Sequence, residues 1–223
     1  MNGGTGARDP AGRGAAGAGA DLPGVAEAIW QAVAPLLPGF TVEVVPELDS
    51  TNTELMRRSR AGRTDPVLLV AQRQTAGRGR LGRAWHGEAG SALTFSLGLP
   101  LAPADWSGMS LAVGVALAES LHPEIRLKWP NDLWLHGRKL AGILIETAST
   151  GGEAGAARYC VIGAGINVAP PPAAGLGTAP AWLGELWPDA HPGPVLLQVA
   201  APLVQAVQLF ERAGFAAFRA RFD

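Results

Sequence analysis

The residues with the clearest chemical potential lie in the glycine- and arginine-rich segment Gly77-Arg78-Gly79-Arg80-Leu81-Gly82. Its glycine spacing matches the G-x-G-x-x-G fingerprint of dinucleotide-binding folds, but that fingerprint requires a helix that begins directly after it. The residues that follow, Arg83-Ala84-Trp85-His86-Gly87, are a poor helix start. Glycines let a backbone reorganise, and guanidinium groups bind phosphate or carboxylate through two hydrogen bonds. The segment therefore predicts either a mobile loop that closes over an anion or a solvated basic surface loop.

A second polar group follows a predicted strand, in Lys128-Trp129-Pro130-Asn131-Asp132. Pro130 should end the strand and leave Asn131 and Asp132 at its end, which is a common place for functional side chains. Because Mg²⁺ prefers oxygen ligands and lysine binds anions, Lys128 and Asp132 together suit magnesium and phosphate. An Asx turn with a surface salt bridge explains the same residues.

Two later strands carry glycines where larger side chains would pack better. Lys139 begins an apolar run that Gly142 interrupts, and the segment Gly163-Ala164-Gly165-Ile166-Asn167 ends the next strand. Glycine inside a strand is expected where a ligand or another backbone approaches closely. Asn167 can donate and accept in one plane, as adenine or a urea group requires. An exposed strand-end lysine and a glycine bulge with an asparagine-stabilised turn are the structural alternatives.

Two smaller signals accompany these segments. Ser50-Thr51-Asn52 opens a predicted helix, where N-capping explains part of the pattern and where the N–H groups and hydroxyls could also hold a polar ligand group. Trp85 follows the glycine-rich loop closely and could cover a ligand. The four histidines have no metal-ligand spacing, and a zinc site is not expected beside a single cysteine.

Composition bounds the class of protein. A chain of 223 residues fits one large domain, and its net charge of −1 argues against a general nucleic-acid binder. Cys160 is the single cysteine, so a reducing, cytoplasmic setting is expected. No apolar run approaches the length of a membrane span. Residues 1–20 are mostly glycine and alanine and predict a disordered tail.

Periodicity and capping signals predict the elements that position these residues. Thr51 to Glu54 has capping-box spacing, and Gly62 is the expected stop of that helix. His136-Gly137 is expected to turn a hairpin, and Ile125, Leu127 and Trp129 to share one face of a strand. Helices are predicted over 22–36, 51–61, 107–121 and 195–213, the last with a kink at Pro202, a cap at Gly214 and a short helix after it. Strands are predicted over 40–45, 67–71, 93–99, 125–129, 133–135, 141–147 and 159–164.

These elements lack strict βαβ alternation, which favours an α+β fold with a mixed, mostly antiparallel sheet and packed helices. In their order along the chain, the polar segments resemble the catalytic domain of biotin–protein ligases. Five segments carry the resemblance: Ser50-Thr51-Asn52, Gln74 to Arg80, Lys128 to Asp132, Arg138 to Leu144, and Gly163 to Asn167. The resemblance implies a fold related to class II aminoacyl-tRNA synthetases over residues 21–223.

The resemblance also implies a two-step reaction and a role for each matched residue. Biotin would be activated by ATP to biotinyl-5′-AMP and then transferred to a carrier lysine. The implied catalytic residues are Lys139, Arg80, Lys128 and Asp132, the last also the Mg²⁺ ligand. The implied biotin-binding residues are Ser50, Thr51, Asn52, Gln74, Gly77, Arg78, Lys139, Gly142 and Gly165. The implied ATP-binding residues are Arg78, Arg80, Trp85, Lys128, Asn131, Asp132 and Asn167.

The partner that the resemblance implies is a biotin carboxyl carrier protein domain of a biotin-dependent carboxylase. No DNA or membrane partner is expected, and the chain is expected to be a monomer or a homodimer. Because only a tail and one helix are predicted before the catalytic segments, no helix-turn-helix domain is expected. The small β-barrel domain with which the family usually continues is expected to be missing from this sequence, either by truncation or because this line lacks it. Two rival interpretations remain open: a lipoate or octanoate ligase, whose typical Arg-Arg-x-Ser-Gly-Gly-Gly stretch is missing, and a nucleic-acid-binding module.

Overall fold

One seven-stranded sheet organises residues 22–149, 157–171 and 179–222, the part of the chain that this computed structural model describes. The spatial order of the strands is β1-β2-β3-β7-β6-β5-β4. β1 and β2 run parallel, and all the other neighbouring strands run antiparallel, which confirms the predicted mixed sheet. The strands are β1 Thr41–Leu48, β2 Val67–Gln74, β3 Ala92–Leu101, β4 Arg126–Lys128, β5 Asp132–Leu135, β6 Arg138–Ser149 and β7 Arg158–Asn167.

The helices fall on both faces of this sheet. They are α1 Leu22–Val33, α2 Thr51–Arg60, α3 Met109–Leu121, α4 Pro192–Ala213 and α5 Arg219–Phe222, with single 3-10 turns at Arg80–Gly82, Leu183–Glu185 and Phe215–Phe218. α1, α3 and α4 pack with one face of the sheet in the main core, while α2 lies on the opposite face, over β3, β6 and β7. The predicted tail and the glycine-rich segment between β6 and β7 lie outside the described residues, as does most of the predicted loop at 170–180.

Strand alternation divides large from small side chains between the two faces. In β3, Leu93, Phe95 and Leu97 enter the main core, while Thr94 and Ser96 point to the α2 face. β7 follows the same rule, since Cys160, Ile162, Ala164 and Ile166 enter the main core and leave Gly163 and Gly165 on the α2 face. On the α2 face the central strands therefore carry small or polar residues, which leaves room for a ligand.

α2 is fixed at both ends by residues that the sequence identifies only in part. Ser50, and not Thr51, is the N-cap residue, and its side chain accepts a hydrogen bond from the Thr53 N–H. The predicted capping box is therefore wrong by one residue, and Glu54 instead pairs with Arg58, whose hydrogen bond lowers the pKa of that carboxyl. Gly62, with a φ of 79°, follows the helix as predicted.

Several predicted bounds shift because pairing and packing outweigh local signals. α1 ends at Val33, β1 extends to Leu48, and β2 extends to Gln74 through its parallel register with β1. Trp129 lies outside β4 and is 73% exposed, so the prediction that it shares a face with the buried Ile125 is wrong. The Trp129–Pro130 peptide bond is cis. The predicted hairpin is confirmed between β5 and β6, and both of its turn residues have positive φ.

α4 corrects the expectation that no apolar run approaches the length of a membrane span. Among the described residues, this helix alone is long and apolar enough for that role by length and composition. It continues through Pro202, and its apolar side is buried against α1 and α3 in the main core. A core helix of a globular domain has the same properties.

The small cluster beneath α2 makes a direct test of how that helix is held. Leu55 is fully buried there, with Val67, Leu69, Tyr159 and Val161. We expect Leu55→Ala to lower the free energy of unfolding by about 2–5 kcal/mol, because it leaves a cavity that α2 cannot fill without moving.

The matched control is Leu197→Ala, which removes the same atoms from a side chain of α4 that is 39% exposed. Its effect should stay within about 0.5 kcal/mol. Urea unfolding of both variants gives the comparison, and equal losses would show that α2 does not depend on this cluster.

Candidate functional site

A cavity of about 430 Å³ opens on the α2 face of the sheet, between the N-terminus of α2 and the glycine- and arginine-rich loop. The strand register builds its floor, because Thr94, Gly165, Gly142 and Asp132 lie side by side on four neighbouring strands. The cavity brings together predicted site residues from segments that are far apart in the sequence: Ser50, Thr51, Asn52, Gln74, Arg78, Arg80, Trp85, Asn131, Asp132, Lys139, Gly142 and Gly165.

The floor glycines are required by what lies on them. A Cβ atom at Gly163 would be 2.1 Å from the Oδ1 atom of Asn52, and one at Gly165 would be 2.3 Å from the Trp85 indole. The indole also reaches Gly142, where a Cβ atom would lie 3.5 Å away. Trp85 therefore rests on two of the glycines that were predicted to approach biotin.

A buried polar network occupies the end of the cavity at α2. The Gln74 Oε1 atom accepts hydrogen bonds from the Thr51 N–H, at 2.7 Å, and from its hydroxyl, at 3.1 Å. The Ser96 hydroxyl lies 2.6 Å from both the Thr51 Oγ1 and the Asn52 Oδ1 atoms, and it can donate to one of them at a time. Because side chains satisfy one another here, these residues are held in fixed positions.

Ser96 belongs to this network but was not among the predicted site residues. Its signal was available, since Thr94 and Ser96 alternate with large apolar residues along a strand that is otherwise fully apolar in its centre. Polar side chains at period two in such a strand mark one face as different from the other. Only the register with β7 shows that this face lies beside Gly163 and Gly165.

The glycine- and arginine-rich loop folds as a small hairpin over the cavity. The Gly79 N–H donates to the Arg83 carbonyl at 2.7 Å, and the Trp85 N–H donates to the Gly77 carbonyl at 2.9 Å. Leu81 stands at its tip with a φ of 57° and is 88% exposed. β3 is the next regular element, so no helix follows the glycines and the rejection of a dinucleotide fingerprint holds.

Positive charge lies at the opposite end of the cavity from the buried network. The Lys139 Nζ atom forms an ion pair with the Asp132 carboxylate at 2.8 Å, across the β5–β6 hairpin. Asn131 is tied to β6, because its Nδ2 atom donates to the Ile143 carbonyl at 2.8 Å. The Arg80 guanidinium reaches the Asn131 Oδ1 atom at 3.2 Å. This end can neutralise anionic groups of a ligand.

Three predicted site residues are not among those that line the cavity. The Lys128 Nζ atom lies 3.5 Å from the centroid of the Trp134 ring, in a cation–π contact on the outer strands. The Asn167 Nδ2 atom donates to the Ala181 carbonyl at 2.9 Å. Gly77 supports the loop, since a Cβ atom there would lie 2.4 Å from the Trp85 carbonyl oxygen. The ligand contacts predicted for these three residues stay predictions.

Two further features concern a possible nucleophile, Cys160, and possible metal ligands. Cys160 points into the main core, and burial raises the pKa of its thiol to about 12, so it stays protonated at neutral pH. Within the described ranges, no group of three or more His, Cys, Asp or Glu residues could hold a metal ion. A divalent cation at this cavity would therefore need further ligands, such as substrate phosphates and waters.

Comparison with known proteins yields one family. Over residues 44–167 the chain matches the biotin/lipoate A/B protein ligase family. The bifunctional ligase/repressor BirA of Escherichia coli is 37% identical over 195 residues, which cover 84% of this chain and 60% of that protein. The biotin–[acetyl-CoA-carboxylase] ligase of Mycobacterium tuberculosis is 39% identical over 142 residues, covering 59% and 50%. The chain thus spans about half the length of the curated relatives it matches.

Solved structures share the fold. A biotin protein ligase from Aquifex aeolicus, in complex with biotin and ATP, aligns with a TM-score of 0.67 at 28% identity, over 82% of this chain and 76% of that one. A biotin acetyl coenzyme A carboxylase synthetase from Helicobacter pylori, with bound biotinylated ATP, aligns with a TM-score of 0.55 at 26% identity, over 81% and 80%. The predicted likeness to biotin ligase catalytic domains is confirmed for the fold.

The loop makes a test that needs no ligand. Gly77 leaves no space for a Cβ atom, whereas one at Gly79 would meet only ordinary contacts, the nearest at 3.5 Å. We expect Gly77→Ala to loosen the loop by about 1.4 kcal/mol, and trypsin to cut after Arg78, Arg80 and Arg83 roughly tenfold faster.

Gly79→Ala is the matched control, two residues away in the same loop, and its cleavage rate should stay near that of the unaltered protein. Equal rates in the two variants would show that the contact between Gly77 and the Trp85 backbone does not hold the loop.

Proposed function

The chain belongs to the biotin/lipoate A/B protein ligase family, and we propose that it is a biotin–protein ligase that forms biotinyl-5′-AMP from biotin and ATP and transfers the biotin to a carrier lysine. One observation carries this proposal: the cavity joins a buried polar end at Thr51 and Gln74 to a cationic end at Lys139, across a floor of glycines. The names of the relatives reported above support biotin, and the second step requires a carrier domain of a biotin-dependent carboxylase as partner.

Biotin matches both ends of the cavity. Its ureido group donates and accepts hydrogen bonds in one plane, and the Thr51 and Gln74 side chains, which line the cavity, offer both kinds of partner. Its sulfur-containing ring and its side chain are apolar and would lie over Gly142 and Gly165 once the Trp85 indole moves aside, because Asn52 already covers Gly163. A volume of about 430 Å³ falls within the usual range of small-molecule sites. Its carboxylate would then extend toward Lys139.

Adenylation joins two anions and therefore depends on cations. The biotin carboxylate oxygen attacks the α-phosphorus of ATP, a new O–P bond forms, and the bond to the pyrophosphate leaving group breaks. Lys139 would neutralise the carboxylate and the α-phosphate as negative charge builds on the phosphoryl oxygens. Preorganised groups of this kind contribute about 3–4 kcal/mol each. The ion pair with Asp132 holds Lys139 in a defined position before reaction.

Asp132 would also hold Mg²⁺. Magnesium is commonly bound through one or two carboxylates together with substrate phosphates and waters, and the donor set of this cavity fits that pattern. The ion would supply further positive charge to the phosphates. In the transfer step, the neutral ε-amine of the carrier lysine attacks the carbonyl carbon of the mixed anhydride. An amide C–N bond forms, the C–O bond to AMP breaks, and the nitrogen loses a proton to solvent.

Biotin-dependent exchange of labelled pyrophosphate into ATP tests the proposed function with this chain alone. We expect exchange that requires biotin and that lipoate does not support. Exchange that requires lipoate instead of biotin would show that the chain is a lipoate ligase. A chain that binds no biotin and exchanges no pyrophosphate would contradict the proposal.

The role of Lys139 predicts a specific split between binding and chemistry. We expect Lys139→Ala to slow adenylate formation by about two orders of magnitude while biotin affinity falls less than tenfold, because its charge matters most where negative charge develops. Rapid-quench measurement of adenylate and a binding titration give the two values.

The control for Lys139→Ala is Arg73→Ala, which removes a cation from an exposed ion pair with Glu47 away from the cavity. It should change neither value. Near-normal turnover in Lys139→Ala would remove this residue from the reaction.

Arg80 is expected to retain the intermediate. Among the described residues its guanidinium has one hydrogen bond, to a neutral amide, and it lines the cavity, where it can pair with the adenylate phosphate instead. We expect Arg80→Gly to release biotinyl-5′-AMP into solution and to label bystander proteins that the unaltered protein does not label. Labelling that stays confined to the carrier would contradict this role.

A further inference from the structure

Glu146 lies outside every segment that was assigned a role, yet it contacts both the loop and the cavity wall. It stands on the α2 face of β6, and its Oε1 atom accepts a hydrogen bond from the Arg78 Nη2 atom at 3.0 Å. Its Oε2 atom accepts from the Arg78 Nη1 atom at 3.3 Å and from the Asn52 Nδ2 atom at 3.0 Å. The Thr53 hydroxyl provides a further acceptor for Arg78 at 3.3 Å.

We propose that Glu146 is a positioning residue that anchors the glycine- and arginine-rich loop over the cavity by holding the Arg78 guanidinium against Asn52. This inference rests on the proposed function for its ligand, biotin, but the clamp itself can be observed without one. Arg78 then serves the site by tethering the loop, and its guanidinium is engaged by a carboxylate rather than by a ligand anion.

The anchor side of this clamp is rigid. Asn52 is buried, it rests on the backbone of Gly163, and its amide also donates to the Leu144 carbonyl at 3.2 Å. Its Oδ1 atom faces the Ser96 hydroxyl. Glu146 belongs to the sheet and is hydrogen-bonded to Asn52 of α2, so its position is fixed. Its charge-assisted pair with Arg78 therefore fixes the position of the loop.

The two arginines of the loop differ in their hydrogen-bond partners, and we expect them to have different roles. Arg78 pairs with a carboxylate through two nitrogens, whereas in the described part of the chain Arg80 has one hydrogen bond of 3.2 Å, to the neutral amide of Asn131. A charge-assisted pair is stronger than a hydrogen bond to a neutral group. Glu146 should therefore control how long biotin stays before ATP arrives, and Arg80 how long the adenylate stays afterwards.

Hydrogen exchange and biotin dissociation test the clamp together. In Glu146→Gln the shape is kept and the charge is lost, so we expect amides of residues 77–84 to exchange roughly fivefold faster, with exchange elsewhere unchanged. We expect biotin to dissociate roughly fivefold faster in the absence of ATP, at an unchanged melting temperature. Arg78→Gln combined with Glu146→Gln should be no worse than either change alone, because both remove one interaction.

Glu47→Gln is the matched control, since it removes the carboxylate of an ion pair with Arg73 across β1 and β2 and touches neither loop nor cavity. It should leave both rates unchanged. Unchanged loop exchange in Glu146→Gln would overturn the clamp, and so would unchanged biotin dissociation from a faster-exchanging loop. If the unaltered protein binds no biotin, the proposed function fails separately, and the exchange data alone decide the clamp.

Discussion

The absence of side chains at the floor glycines is the constraint on which the described site depends. Asn52 and the Trp85 indole approach the backbone of β7 so closely that a single Cβ atom, at Gly163 or at Gly165, would overlap them. Sheet pairing places Gly165 between Thr94 of β3 and Gly142 of β6. The cavity exists because the same strands place their large residues on the opposite face, in the main core.

The two ends of the cavity differ in the polar groups that line them. At α2, neutral groups satisfy one another in a buried network, which costs little to keep in place because each buried polar atom has a partner. At the hairpin end, Lys139 and Asp132 hold opposite charges in contact, where solvent still reaches them. Such an arrangement suits a ligand with a neutral polar head and an anionic tail, as the proposed function requires.

The sequence predicts the local parts of this structure well and the non-local parts poorly. The hairpin at His136, the stop at Gly62 and the non-helical loop after Gly82 follow from residue types alone, and the structure confirms them. Strand order does not follow in that way, because β3 and β7 become neighbours across a long stretch of chain. Ser96 and Glu146 both contact Asn52 of α2, far away in the sequence. The polar alternation of β3 marked the face on which Ser96 lies, but no local pattern indicated these partners.

Tertiary contacts also give two of the predicted site residues partners that their residue type does not indicate. Arg78 was expected to bind a ligand, but a carboxylate from β6 engages its guanidinium. Lys128 was expected at the phosphates, but its side chain rests on the Trp134 ring. In both cases residue type indicated a cation near the site, while the partner was decided by the neighbouring strand.

A crystal structure of the chain grown with biotin tests the account most directly. We expect the biotin rings to lie over Gly142 and Gly165, with the ureido group at Thr51 and Gln74, the carboxylate near Lys139, and the Trp85 indole moved from its present contact with Gly165. Biotin bound elsewhere, with the indole still against Gly165, would contradict the proposal that the ligand binds over this part of the cavity floor.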